Sequence, residues 1–412
     1  MNKKRLFLWC LYDFANSFVL INFLLYFGQW LVIDGGLSDF WYNAIFAITT
    51  IILLFSAPTL AAYTDKHGGR KFFLNIATFG TFISYSLVVL FAYADTPNIF
   101  LVALFFLLGQ YFYQLSFVFF NPMIADIADE GHRARASGIG QSSNALGQIC
   151  GLLVTLPLSA SRLDPLIPAI GIFFVLALPM MILFKEERKM ESGISLRMMK
   201  EETKIFKSKM FNFFRISIAA PMLVAFFFFN DALITASNNY SIYIERVFSV
   251  PDKTKSILLM GIILTGAIGG ILGGWIADRI GALKTLKIIL LGWVVILPAI
   301  ALAPSFKMFF ILTVPVGLLI GSMWAVTRAY MSTLLTKDDM GYGFSFYTLM
   351  ERFATFVGPL AWGGTILFLG SEPSSYRLAM GILTIFVLTG FFILHFWKRQ
   401  PTSEIVFSNS YE

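Results

Sequence analysis

Twelve apolar runs, each long enough to cross a lipid bilayer, set the terms on which this 412-residue chain folds. They cover roughly 6 to 33, 41 to 63, 72 to 94, 98 to 127, 136 to 158, 165 to 184, 216 to 243, 256 to 277, 284 to 303, 308 to 335, 341 to 369 and 375 to 396. A spanning helix needs ~20 mostly apolar residues. Inside lipid every backbone N–H and C=O must be paired within the structure, so runs of this length become helices. With 57% hydrophobic and only 13% charged residues, the chain lacks the amphipathic stripes and polar connections of a soluble helical protein. The expected fold is an all-α membrane protein of twelve transmembrane helices.

The chain repeats itself. AAYTDKHGGRK at 61 to 71 and GWIADRIGALK at 274 to 284 stand 213 residues apart, each placing an acid, a base and glycines between two apolar runs. Glycine permits the sharp turn that such a loop requires at the water boundary. At an offset of 208, Met123 to Ser137 lies over Met331 to Ser345, again an acidic turn between hydrophobic segments. The repeat predicts two pseudo-symmetric six-helix bundles: an N-terminal half over 1–184, a connecting loop over 185–210, a C-terminal half over 211–397 and a tail over 398–412.

Basic residues fall on one side of these spans. If the N-terminus is cytoplasmic, the inner segments hold 22 Lys and Arg and the outer loops six, which orients both termini to the cytoplasm. The net charge of +7 is therefore a topology signal, and no nucleic-acid partner is expected. The opening MNKKR and its apolar run lack a small-residue cleavage site before Trp30, which makes them an uncleaved first span. Cys10 and Cys150, both within spans, imply neither a disulfide framework nor a metal cluster, and no cofactor is expected. The stretch 185 to 210 reads either as an amphipathic helix on the inner membrane surface or as a solvated linker.

On these two loops the chain resembles the major facilitator superfamily over nearly its whole length. Asp65 and Lys66 match that superfamily's loop after the second span, although Ala61 replaces a glycine and the stretch Gly68, Gly69, Arg70, Lys71 contains one extra residue. Gly274, Asp278, Arg279 and Gly281 copy it more closely after the eighth, with Lys284 displaced. Tyr12, Asp13, Phe14, Ala15, Asn16 and Ser17 resemble the opening of the vacuole-effluxer-like branch. Asn230 with Asp231, the segment carrying Pro122, Asp126, Arg133 and Ser137 to Gly140, and the run from Arg328 to Gly358 and Pro359 also fit that branch. The resemblance implies a transporter, not an enzyme, with amino acids as solutes and export as direction. It also implies that spans one, four, seven and ten line the central path.

Charge within lipid costs about 2.5 to 3.5 kcal/mol at a helix centre, so intramembrane ionisable residues are functional candidates. Asp13, Asp231, Arg328, Glu351 and Arg352 are these candidates. Asp13 with Asn16 and Ser17, Gln110 with Gln114 and Asn121, Gln141 with Asn144 and Gln148, Asp231 with Thr235 and Asn238, and Tyr347 with Glu351 each share one helix face. Asp231, Asn230, Asn238, Gln114, Asn121, Asn144, Arg328 and Tyr347 form the expected substrate site. There an acid faces the ammonium of a zwitterion and a base its carboxylate. Three acids against two bases leave one carboxylate over. Asp13, or failing it Glu351, is the candidate proton carrier, and the alternative pairs Asp13 with Arg352 as a gate between the halves.

Asp65 is expected to latch the inner end of span eleven near Gly341 to Gly343, with Arg70, Asp126, Asp278 and Arg279 as further gating residues. Small-residue strips at Gly266, Gly270 and Gly274, and at Ser143, Gly147 and Gly151, are expected to meet each other across the halves. The function that follows is rocker-switch transport of a small polar solute by a monomer in a bacterial inner membrane, with protons as a candidate partner. A proton-driven importer of a sugar or short peptide is the alternative. An intramembrane enzyme would need a nucleophile and base at depth, but His67 and His132 lie in loops and His395 ends span twelve. A receptor without flux would not need polar faces on so many spans.

Overall fold

The computed structural model describes residues 2–186, 196–335 and 340–397. Fifteen α-helices carry the fold in chain order: α1 (Lys3–Asn22), α2 (Asp39–His67), α3 (Arg70–Ala92), α4 (Ile99–Phe120), α5 (Glu130–Thr155), α6 (Leu166–Leu183), α7 (Leu196–Ile216), α8 (Ala220–Asn238), α9 (Tyr240–Phe248), α10 (Asp252–Ile280), α11 (Ala282–Ala301), α12 (Phe306–Thr333), α13 (Met340–Phe353), α14 (Val357–Leu369) and α15 (Pro373–Phe396). Side chains cap several at the expected places: Asn2 on α1, Ser38 on α2, Asn98 on α4 and Ser305 on α12 each accept a backbone N–H of the first turn.

Eleven of the twelve runs are helical segments long and apolar enough to cross a membrane. The fifth, α5, has the length, at 26 residues, but Gln141, Ser142, Ser143, Asn144 and Gln148 make it too polar by composition alone. Tight packing on α1 suits it to the bundle. Two further runs are not single helices: the seventh turns at Asn239 into α9, and the eleventh breaks over 354–356 between α13 and α14. Beyond Asn22, α1 loosens into two wide π-type turns over Phe23–Phe27 and Trp30–Asp34.

The echoing loops do turn on glycine. Gly68 and Gly69 take φ of 74° and 86°, and Gly281 takes 92°, a region open to glycine at little steric penalty. Glu186, just past α6, then holds the start of α3, accepting from the backbone N–H of Arg70 at 2.9 Å and of Lys71 at 3.1 Å.

The small-residue strips do not meet each other. A Cβ on Gly147 would strike the backbone of Phe14 and one on Gly151 would lie 2.9 Å from the carbonyl oxygen of Phe18, so α5 is pressed onto α1. Gly269 and Gly273 face Leu318 and Ser322, and Gly317 and Gly321 face Thr265 and Gly266, so α10 is pressed onto α12. Of the expected strip itself, a Cβ on Gly266 and one on Gly270 would lie 3.5 Å from the carbonyl oxygens of Gly317 and Gly321 in the same half, while Gly274 meets nothing within 4 Å; a strip of glycines is a backbone-approach surface wherever it falls. The linker expected over 185–210 is helical from Leu196 on, as part of α7, which lies against α2 and carries on to Ile216, with Phe213 buried and 4.8 Å from the ring of Phe346. Residues 187–195 of the linker and the tail from Lys398 lie outside the described residues.

Candidate functional site

One face of the bundle carries the start of α1 and the finish of α15, here the terminal face. The opposite, distal face carries the turns at 34–39, 156–165, 239–252 and 370–373. Polar side chains gather in two places, midway through the bundle and at the distal face.

The central group is built from both halves. Because α5 approaches α1 so closely, Ser143 Oγ donates to the Cys10 carbonyl at 2.7 Å and Asn144 Nδ2 to Asp13 Oδ1 at 3.1 Å. Gln148 Nε2 donates in turn to Asn144 Oδ1 at 2.8 Å. Facing them from the other half, Arg328 on α12 stands beside Tyr347 and Glu351 and within electrostatic reach of Asp13. Arg352 reaches across to the first half, but to Gln114 Oε1 at 2.9 Å, with its guanidinium 4.5 Å over the Phe117 ring. No ion pair to Asp13 within 4 Å is formed among the described residues. Glu351 lies 3.9 Å from Arg352, and their side chains keep 26% and 18% exposure deep in the molecule. Trp324, one turn before Arg328, is 40% exposed with its Nε1 3.5 Å from Asn230 Oδ1.

Asp231 does not join this ring of charges. It is fully buried, and its Oδ2 accepts from the backbone N–H of Gly358 at 2.7 Å and of Val357 at 3.1 Å, the first residues of α14. The surplus carboxylate inferred from the sequence is thus spent on a helix start. Asp13, Glu351, Arg328 and Arg352 remain, two acids and two bases. Asn230 is equally buried, its Nδ2 3.5 Å from the Glu351 carbonyl.

Other expected residues fall elsewhere. Asn238 ends α8 near the distal face, where its carbonyl accepts from Tyr42 Oη at 2.9 Å. Asn16 is buried and donates to the Tyr12 carbonyl within its own helix. Asn121 opens the 3₁₀ turn to Asp126, whose carbonyl holds Arg5 Nη1 at 2.6 Å. Asp65 pairs with Arg70 of its own half at 2.6 Å and is 57% exposed. Asp278 and Arg279 are exposed at the end of α10, Arg279 lying 3.7 Å over the Trp275 ring.

At the distal face the two halves are tied together. Arg162 pairs with Asp34 of its own half at 3.0 Å, and with Asp252 at 3.0 Å and Glu245 at 3.3 Å in the other. Burial works against the charge of Arg162, yet the carboxylates of Asp252, Asp34 and Glu245 outweigh it and hold its pKa above the ordinary value. Lys255, fully buried, donates to Asp252 at 2.7 Å, to Glu245, and across the halves to Gln29 Oε1 at 2.5 Å. Asn43 and Asn239 exchange amide bonds at 3.0 and 2.8 Å, Tyr26 meets Ser256 at 2.9 Å, and Tyr376 donates to Asp39 at 2.8 Å. Below them, a Cβ on Gly363 would lie 2.9 Å from the backbone of Phe40, so α14 rests directly on α2.

The sequence reading missed this network. Arg162 and Lys255 looked like ordinary loop charges; the one local signal was the Asp252 and Lys255 pair at i, i+3 opening a span.

A helical bundle with charges at its centre and a polar tie at one face is the build of a membrane transporter. The chain belongs to the Major Facilitator Superfamily, whose pattern matches residues 6–246 and 222–409. It is 24% identical over 429 aligned positions to the uncharacterized MFS-type transporter YxiO of Bacillus subtilis (strain 168), covering 96% of this chain and 95% of that one. An uncharacterized protein of Aquifex aeolicus (strain VF5) is 26% identical over 362 residues, 85% of this chain and 86% of its own. Among solved structures, the nucleoside transporter NupG superposes with a TM-score of 0.71 at 13% identity, covering 97% of this chain and all of that one. A bacterial homologue of the human lysosomal transporter Spinster, inward-facing and unoccupied, gives 0.70 at 15% identity, over 98% of this chain and 100% of that one.

Proposed function

We propose that the chain moves a small zwitterionic solute, an amino acid foremost, by alternating access, with export as its direction. The observation that carries this reading is the charge-balanced centre: Asp13 on one half faces Arg328, Glu351 and Arg352 on the other. A solute bearing both charges bridges the halves, its ammonium at Asp13 and its carboxylate at Arg328 beside Tyr347. Gln114, Asn144 and Trp324 complete the wall. Closure by the distal network and the exposure of Glu351 and Arg352 support a state open toward the terminal face. The asymmetry of basic residues supports placing that face in the cytoplasm of a bacterial cell, with the chain acting as a monomer.

Asp13 is the proton carrier in this reading, since its described bond is to the neutral Asn144 and its charge is not fixed by an ion pair. The test is counterflow of labelled amino acids by purified protein in liposomes, repeated in Arg328→Gln. Exchange in the parent and its loss in the variant support the assignment; exchange of other solutes with none of any amino acid overturns it. A ringed neutral solute such as a nucleoside, the cargo named for NupG, is the second reading, favoured by the exposed face of Trp324.

A further inference from the structure

We infer that Asp231 is a positioning residue of the central site: its carboxylate fixes the break between α13 and α14 and thereby sets where Glu351 and Arg352 stand. The inference rests on the reading of those two residues as part of the site. Its starting point is Pro359, which has no N–H and whose ring crowds the carbonyl four residues back, favouring a kink or a break there. That carbonyl belongs to Thr355, and Thr50 of the other half takes it up, its Oγ1 3.3 Å from the carbonyl and 2.5 Å from Thr355 Oγ1. The chain leaves the helix over 354–356 and restarts at Val357, midway through the bundle where no bulk water is at hand.

A helix start leaves up to four N–H groups without partners in the helix, and Asp231 Oδ2 accepts two of them, those of Val357 and Gly358. Neighbouring Asn230 meets the last turn of α13 at the Glu351 carbonyl. Consecutive residues of α8 therefore hold both sides of the break. Space is reserved for the arrangement: a Cβ on Gly358 would overlap Thr235 Oγ1 and lie 2.9 Å from Asp231 Oδ1. Beyond the break, α14 is seated on α2 at Gly363, while α13 carries Tyr347, Glu351 and Arg352. With α14 anchored, the angle at the break decides how far those side chains reach toward Asp13 and Gln114.

The test compares Asp231→Asn with Asp231→Ala. An amide oxygen still accepts from Val357 and Gly358, whereas alanine leaves both N–H groups buried and unpaired, so solute exchange is expected to fall by roughly ten-fold or more in alanine and to stay within about three-fold in asparagine. The second readout is the distance between spin labels at Thr348→Cys on α13 and Leu367→Cys on α14, with Cys10 and Cys150 replaced by serine. It is expected to be unchanged in Asp231→Asn and to shift and broaden in Asp231→Ala. Asparagine as inactive as alanine with both distances unchanged would mean that the negative charge itself is used, and would overturn the positioning role. Because the distance measurement needs no solute, it stands even if the amino-acid reading fails.

Discussion

Removing the Arg162 side chain should unlatch the distal face. Of its three carboxylate partners, Asp34 belongs to the same half and separates with it, so only the bonds to Asp252 and Glu245 resist opening. Exposed ion pairs contribute about 0 to 1 kcal/mol, and breaking a buried pair by deleting one partner loses about 3 to 5 kcal/mol. Arg162 at 16%, Asp252 at 10% and Glu245 at 26% exposure lie between these limits, and Lys255 remains to neutralise both acids. About 2 kcal/mol is the resulting bias, or roughly 30-fold in the ratio of distal-open to distal-closed protein. The assay is the rate at which a maleimide modifies Ser256→Cys, fully buried behind this network, in protein with Cys10 and Cys150 replaced by serine. Arg162→Ala should raise that rate by about 30-fold, and Asp34→Asn, which removes only a within-half pair, should leave it near the parent value. Equal rates in parent and Arg162→Ala, or an equal rise in Asp34→Asn, would refute the assignment of the latch to the bonds that cross between halves.

Further outcomes follow from the packing and the charges. Gly358→Ala should lower the melting temperature in detergent, since its methyl has no room beside Thr235 and Asp231, with a loss of about 1 to 3 kcal/mol typical of overpacking. Gly321→Ala, pressed on the Gly266 backbone, should do the same, whereas Gly274→Ala, which meets nothing within 4 Å, should be silent despite its place in the loop motif; a thermal-shift series reads all three. Asp13→Asn should lose accumulation driven by a pH gradient and also weaken exchange of solute across liposomes, since Asp13 receives the ammonium as well, and full accumulation in that variant would remove Asp13 as the proton carrier. Replacing Asn43 by alanine takes the donor from Asn239 Oδ1 and leaves Asn239 Nδ2 only the Thr235 carbonyl, so labelling of Ser256→Cys should quicken in that background too.

The spans and their loops were legible because apolar length and glycine are local properties: the runs became helices, and Gly68, Gly69 and Gly281 took the positive φ their loops demand. Which faces meet is not local. Asp13 and Asn144 were each visible on a polar face, but only the approach of Gly147 to Phe14 brings the two together. The break in span eleven was not read from the sequence: Gly358 and Pro359 mark it, yet Pro58, Pro179, Pro298 and Pro315 sit inside helices that run on past them. What the sequence could not say is that Asp231, 127 residues before Gly358, supplies the acceptor. The distal network was hidden for the same reason, its partners lying 90 residues apart for Arg162 with Asp252 and 226 for Gln29 with Lys255.

A latch between halves must also be able to open, and the distribution of charge in this one explains how. Separation leaves Arg162 with Asp34 on one side, and Lys255 with Glu245 and Asp252 on the other, so neither base loses its last carboxylate. What Arg162 gives up is shared coordination, near 2 kcal/mol, not the several kcal/mol of stranding a buried ion, and the bonds of Gln29 with Lys255 and of Asn43 with Asn239 add to it. A ligand shifts an equilibrium only by its differential affinity for the two states. To offset the Arg162 share of about 2 kcal/mol alone, a solute must bind the distal-open state at least roughly 30-fold more tightly than the state seen here. The centre can supply such a difference, because Asp13 and Arg328 belong to opposite halves: movement of the halves changes the gap between them, and a zwitterion fitted to one gap is held poorly by another.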